Sequence, residues 1–197
     1  MTKFEGFSTT EQKKIENVLN RFDRNFIKEI FKKIINDQTL DNKEEKYSVF
    51  GKYNINSKTL KINPRAFITE DFTDGKNKMS KLSFIILHEI AHALDRRFKV
   101  SNSEEWHKLS GWVEEPIIKR GKKNLVMKKE NGDEVHSQWF YDKNAKFARW
   151  YSSFSPKEDF CDTFSFAFSG LKNNLKNKEK IDYVEHFIAH LKTRGII

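Results

Sequence analysis

Leu82-Ser83-Phe84-Ile85-Ile86-Leu87-His88-Glu89-Ile90-Ala91-His92-Ala93-Leu94 is apolar on nearly every side when wound into a helix. Such a helix is buried rather than laid on a surface. Three of its residues, His88, Glu89 and His92, are then polar groups inside a core. Without partners each costs several kcal/mol (about 2–7). Their spacing supplies a way out. The run His88-Glu89-Ile90-Ala91-His92 reads H-E-x-x-H, the pattern of a helix-borne zinc site. Residues four apart share one helical face, about 6 Å apart along the axis, so two imidazoles can hold one metal ion. The Glu89 carboxylate, beside the first histidine, can reach a water on that ion. One bound Zn²⁺ with its water satisfies all three residues at once.

Outward from this helix, expected over about 80–98, the pattern predicts an α+β fold. It is mainly helical, with a small mixed β-sheet. Ser8 and Glu11 make a capping box, and apolar spacing from Ile15 to Ile35 predicts one long amphipathic helix over 8–36. Tyr47, Val49, Tyr53 and Ile55 alternate as in a strand. Asn56-Ser57-Lys58 turns the chain into a second strand at 58–63, which Pro64 ends. That second strand, just before the metal helix, is expected to be the sheet edge on which an extended peptide adds. Asp74-Gly75 marks a turn, Glu104-Glu105-Trp106 a short helix, and Asn131-Gly132 the tip of a hairpin over 122–139. Ser155 and Pro156 start a helix over about 156–170, and a last helix covers about 178–192. Lys172 to Lys180 reads as a solvated loop. The 197 residues suit a single domain, with an N-terminal lobe over about 1–98 and a C-terminal lobe over about 99–197 flanking an active-site cleft.

Composition narrows the partners. Hydrophobic residues make up 37% of the chain and aromatics 14%, enough for a core and too much for a disordered chain. The net charge of +9 is spread along the whole length, which reads as general surface basicity rather than a nucleic-acid site. Cys161 is the single cysteine, so no intramolecular disulfide forms; it reads as a small buried filler. No run of 18 apolar residues predicts a transmembrane helix. Residues 1–7 lack the apolar core of a signal peptide. A monomer acting on a protein or peptide substrate is expected.

A zinc site of this kind needs a third protein ligand and an open position for water. A histidine six residues after His92 would mark one class, but that position is Phe98. Asp95, three residues after His92, is too close on the same helix to ligate without strain and suits an outer role, holding a ligand in place. Glu114 and Glu115 are candidates without helical support. Glu158 and Asp162, four apart on the 156–170 helix, lie opposite the stripe of Phe160, Phe164, Ala167, Phe168 and Leu171. That acidic face either looks across a cleft at the metal helix or faces solvent. His186 and His190 also stand four apart but lack an adjacent glutamate, and read as packed or surface histidines.

The stretches His88-Glu89-Ile90-Ala91-His92-Ala93-Leu94-Asp95 and Tyr151-Ser152-Ser153-Phe154-Ser155-Pro156-Lys157-Glu158-Asp159-Phe160 resemble the catalytic domain of anthrax lethal factor and its relatives, including the small clostridial Pro-Pro endopeptidases. That family pairs H-E-x-x-H-x-x-D with a downstream Y-x(6)-E-x(3)-E. The resemblance covers about 88–112 and 147–170; the first 80 residues carry no matching motif. It implies a zincin-like fold of the gluzincin type and a zinc endopeptidase, a secreted or delivered bacterial toxin or effector rather than a cytoplasmic protein. It implies His88, His92 and Glu158 as zinc ligands, Glu89 as general base and Tyr151 as a hydrogen-bond donor in the transition state. Asp162 stands where the family usually has Glu, and still offers an outer carboxylate. Asp95 and Asp162 are then the groups expected to accept a ring N–H from the ligand histidines. Two further readings are a catalytically inactive zinc-binding relative serving as a binding module, and a DNA-associated protease. Glu89 and Tyr151 argue against the first; the second has no nucleic-acid motif behind it.

Overall fold

The computed structural model describes residues 2–40, 49–114, 126–130, 133–136 and 139–197. In chain order these form β1 (Lys3–Glu5), α1 (Thr9–Leu19), α2 (Arg24–Ile30), β2 (Lys33–Asn36), β3 (Gly51–Asn54), β4 (Thr59–Ile62), β5 (Phe72–Asp74), β6 (Asn77–Met79), α3 (Lys81–Phe98) and α4 (Glu104–Ser110). Then come β7 (Trp112–Glu114), β8 (Val126–Glu130), β9 (Asp133–His136), β10 (Trp139–Tyr141), α5 (Pro156–Phe168) and α6 (Lys178–Thr193). The fold is α+β: helices around a small mixed sheet of order β1-β2-β4-β3, with three two-stranded ribbons. No helix among the described residues is long and apolar enough to cross a membrane. The expected turn at Asn131-Gly132, together with Tyr47 and Glu115, lies outside the described residues.

The expected helix over 8–36 is in fact two short helices and a strand. Ser8 and Glu11 form the capping box that starts α1. The helix stops at Asn20, and the Asp23 carboxylate accepts from the N–H groups of Asn25 and Phe26 to start α2. The Asp23 N–H is drawn away to the Ile196 carbonyl. Apolar spacing ran on through this break because Ile15, Phe22, Phe26, Phe31 and Ile34 all enter one core. A shared core keeps the sequence periodic across a turn that capping chemistry alone reveals.

This break corrects the position of the sheet edge. β2 runs parallel to both β1 and β4, so β4 is an interior strand. Among the described residues the sheet edge beside α3 is β3, antiparallel to β4. Gly51 opens that edge. A Cβ added there would lie 2.3 Å from Ile85 Cγ2 and 3.8 Å from Glu89 Oε1. The strand therefore passes directly over the Glu89 side of α3.

Helix α3 is buried over Leu82, Phe84 to Ala91 and Ala93 to Asp95, as its all-round apolar sequence predicts. It packs on α1 and α5. One apolar cluster runs from Ile15 to Ile196 through both halves of the chain. Helix α5 is buried well beyond its apolar stripe: Asp159 and Asp162 have no exposed surface. Asp159 accepts from Trp112 Nε1 at 3.1 Å and Lys180 Nζ at 2.5 Å. Lys180, expected in a solvated loop, is thus a core residue of α6, 2% exposed. Its ammonium also sits over the Trp106 and Phe147 rings. The pairing offsets a desolvation cost that a lone lysine could not meet.

Gly51→Ala is expected to lower the unfolding free energy by about 1–3 kcal/mol through overpacking against Ile85. Urea denaturation checks this against Lys52→Ala on the same strand, which should stay within about 0.5 kcal/mol of the parent.

Candidate metal centre

Two helices build the site. Ser80 caps α3 through the Ser83 N–H. Two turns later His88 and His92 stand one turn apart with ring centroids 4.7 Å from each other. On α5, Ser155 caps the helix and Pro156 opens it, which places Glu158 in the first turn. Glu158, Cys161 and Asp162 follow the i, i+3, i+4 rule and share a face. That face meets α3, not solvent.

Glu158 Oε2 lies 3.0 Å from His88 Nε2 and 3.4 Å from His92 Nε2. Tetrahedral ligands at zinc-like bond lengths stand about 3.3 Å apart. Both Glu158 contacts are close to that spacing, and the two rings stand 4.7 Å apart between centroids. A second grouping overlaps this one: His88, His92 and Cys161 also come close enough to hold a metal ion. Cys161 Sγ, however, meets His92 at Nδ1, 3.1 Å away. That is the ring nitrogen other than the one near Glu158. The Nδ1 atom of His88 is likewise taken, by Asp162 Oδ1 at 2.9 Å. Both imidazoles thus present Nε2 to Glu158 and Nδ1 to a neighbour behind.

The charges follow from these contacts. Burial alone would lower the His88 imidazole, but its hydrogen bonds to Asp162 and Glu158 outweigh that and push it up to about 10. Burial would raise Glu158, yet His88 and His92 hold it well below the usual carboxylate range. Burial raises Glu89, against the pull of His88 and His92. It also raises the Tyr151 phenol, with Glu158, Glu89 and Asp162 adding to the effect. Burial pushes the Cys161 thiol well above its ordinary value. Glu89 and Tyr151 therefore feel the same carboxylate–imidazole group.

Asp162 ties the parts together. Besides His88 it accepts from Arg149 Nε at 3.0 Å and Nη2 at 2.6 Å, and from Ser152 Oγ at 2.6 Å. Burial would raise this carboxyl, but His88 and Arg149 hold it below its ordinary value. Arg149 and Ser152 flank Tyr151 in sequence, so both sides of the tyrosine's turn are anchored to the carboxylate that orients His88. The Ser152 hydroxyl also accepts from the Arg149 N–H. The Tyr151 ring stands 6.0 Å from the His88 ring and is 42% exposed, on the open side of the centre. The Arg149 guanidinium lies 4.3 Å over the Phe84 ring.

Asp95 is not part of this group. Its carboxylate accepts from Ser101 N–H at 2.6 Å and Ser101 Oγ at 2.7 Å, fixing the turn after α3. The group at His92 Nδ1 is Cys161 Sγ, not Asp95. Glu114 is a residue of β7, paired with Trp139 of β10. His186 and His190 are exposed on α6. Sequence reading took Cys161 for a small buried filler and passed over Arg149 and Ser152. The three-residue step from Glu158 to Cys161 was available as a signal; nothing local marks Arg149 or Ser152 as partners of Asp162.

Two outcomes test this geometry. Asp162→Asn takes the charge partner from the partly buried Arg149 and from His88, and is expected to cost about 1–3 kcal/mol in urea unfolding. It also releases His88 and is expected to weaken metal binding about 10–100-fold in chelator competition. Because the folded His88 is protonated up to about pH 10, a cation reaching Nε2 must displace a proton. Metal uptake near neutral pH is expected to release protons, read by calorimetry in buffers of different ionisation enthalpy, and to weaken as pH falls.

Comparison with known proteins finds no matching family model, no similar curated protein and no similar solved structure.

Proposed function

We propose that this chain is a zinc-dependent endopeptidase of the gluzincin type, with a zincin-like arrangement of its buried helix, in which His88, His92 and Glu158 hold the metal. The observation that carries the reading is the approach of Glu158 Oε2 to both Nε2 atoms, with Glu89 on the same helix. Two imidazole nitrogens and one carboxylate oxygen are a donor set suited to zinc with a position left open. When bound, zinc would supply Lewis acidity and a water of lowered pKa.

The chain's own groups do the rest. Glu89, raised by burial, is placed to take a proton from the attacking water and pass it to the leaving amine nitrogen. The Tyr151 hydroxyl remains a phenol and donates a hydrogen bond to the oxygen that gains negative charge. Asp162 holds His88 in the tautomer that keeps Nε2 facing Glu158. Among the described residues β3 is an edge strand beside Glu89, and it offers backbone groups to an extended peptide. A protein or peptide is therefore the substrate class. The retention of Glu89 and Tyr151 beside the donor set favours an active enzyme over an inactive zinc-binding module. The dispersed positive charge gives a DNA-associated role no site.

Purified protein is expected to carry one zinc per chain and to cleave members of a peptide library. Glu89→Ala should keep the zinc and lose at least about 100-fold in cleavage rate. Cleavage by Glu89→Ala at the parent rate would sink the proposal.

A further inference from the structure

We propose that Cys161 is a positioning residue that fixes the second histidine ligand, His92, by accepting its ring N–H. This rests on the reading of His88, His92 and Glu158 as the metal ligands. An imidazole that binds metal through Nε2 carries its proton on Nδ1 and needs an acceptor there. For His88 that acceptor is the Asp162 carboxylate, at 2.9 Å. For His92 the group at Nδ1 is Cys161 Sγ, at 3.1 Å. Cys161 has no exposed surface, and it stands one helical turn beyond Glu158. The same turn of α5 thus presents a ligand to the metal side of His92 and an acceptor to its other side.

The pairing makes the two histidines unequal. A charged carboxylate strengthens His88 as a donor. A thiol sulfur is a weak, polarizable acceptor and adds little charge to His92. Cys161 therefore sets the angle of the His92 ring more than its basicity.

The test is metal affinity and spectroscopy, not turnover. In chelator competition, Cys161→Ala is expected to bind zinc about 10–100-fold more weakly than the parent. Cys161→Ser, which keeps an acceptor at nearly the same place, is expected to recover most of that loss. Thermal melts of the metal-free proteins show whether either variant has lost packing. In the cobalt-substituted parent no sulfur-to-cobalt charge-transfer band is expected, because the thiol is not itself a ligand. Parent-like affinity in Cys161→Ala would reduce Cys161 to a space filler. Failure of Cys161→Ser to recover the loss would remove the hydrogen-bond role. A charge-transfer band in the parent that disappears in Cys161→Ser would make the cysteine a ligand. Each of these overturns the proposal while leaving a metal centre in place. Unchanged zinc affinity in His88→Ala and Glu158→Ala would instead overturn the ligand set, and this inference with it.

Discussion

A buried carboxylate with four hydrogen bonds, Asp162, is the constraint on which the rest of the site depends. It has no exposed surface and would be costly alone. His88, both Arg149 donors and Ser152 satisfy it. Each donor comes from a different structural duty. His88 belongs to α3, while Arg149 and Ser152 belong to the turn that carries Tyr151. One side chain on α5 therefore fixes three things that must agree in space. These are the orientation of an imidazole, the place of a phenol, and the approach of two helices. Removing any donor leaves the others around a partly unpaired charge, so the contacts are not independent.

The same logic explains why α3 and α5 are both so deeply buried. Polar groups inside a low-dielectric contact interact strongly, which penalises error and rewards a complete set. Asp159 and Lys180 repeat the device on the far side of α5, closed by Trp112 and an aromatic surround. Helix α5 is thus held through charged groups on two sides and through Phe160 and Phe164 in the core. Rigid placement of Glu158 in its first turn follows from that support. A carboxylate on a loosely packed helix would not stay within hydrogen-bond reach of both imidazoles.

What the sequence revealed and what it hid follow from the range of the forces involved. His88 and His92 were legible because helical geometry alone brings residues four apart together. The burial of α3 was legible because no face of it is polar enough for water. The caps at Ser8 and Ser155 were legible for the same local reason, while the cap at Ser80 was not read. The break at Asn20 was hidden by a core that both short helices and β2 share. Reading residues 33–36 as helix then left β4 as the expected edge, with no β2 to cover it. The bond from Asp159 to Lys180 spans 21 residues and that from His88 to Asp162 spans 74; no local pattern encodes either. Asp95 misled because its spacing from His92 was right while a nearer partner, Ser101, was only six residues on.

Charge balance supplies an argument for the cation that is separate from ligand spacing. Glu89, Glu158 and Asp162 all act on His88, and Arg149 is the guanidinium bonded within their group. Three carboxylates outnumber the one guanidinium bonded among them, while Lys81 and Lys157 act on the group through space. Protons can take up that excess, and the high affinity of His88 for its proton together with the raised Glu89 shows where they go. A divalent cation takes it up without occupying Glu89 or Nε2 with hydrogen. The two solutions compete for the same atoms. A group that stores protons when alone must give them up before a dication can bind to the same atoms. The desolvation that makes the H-E-x-x-H helix expensive to bury is then the same effect that raises the Glu89 carboxyl above its ordinary value.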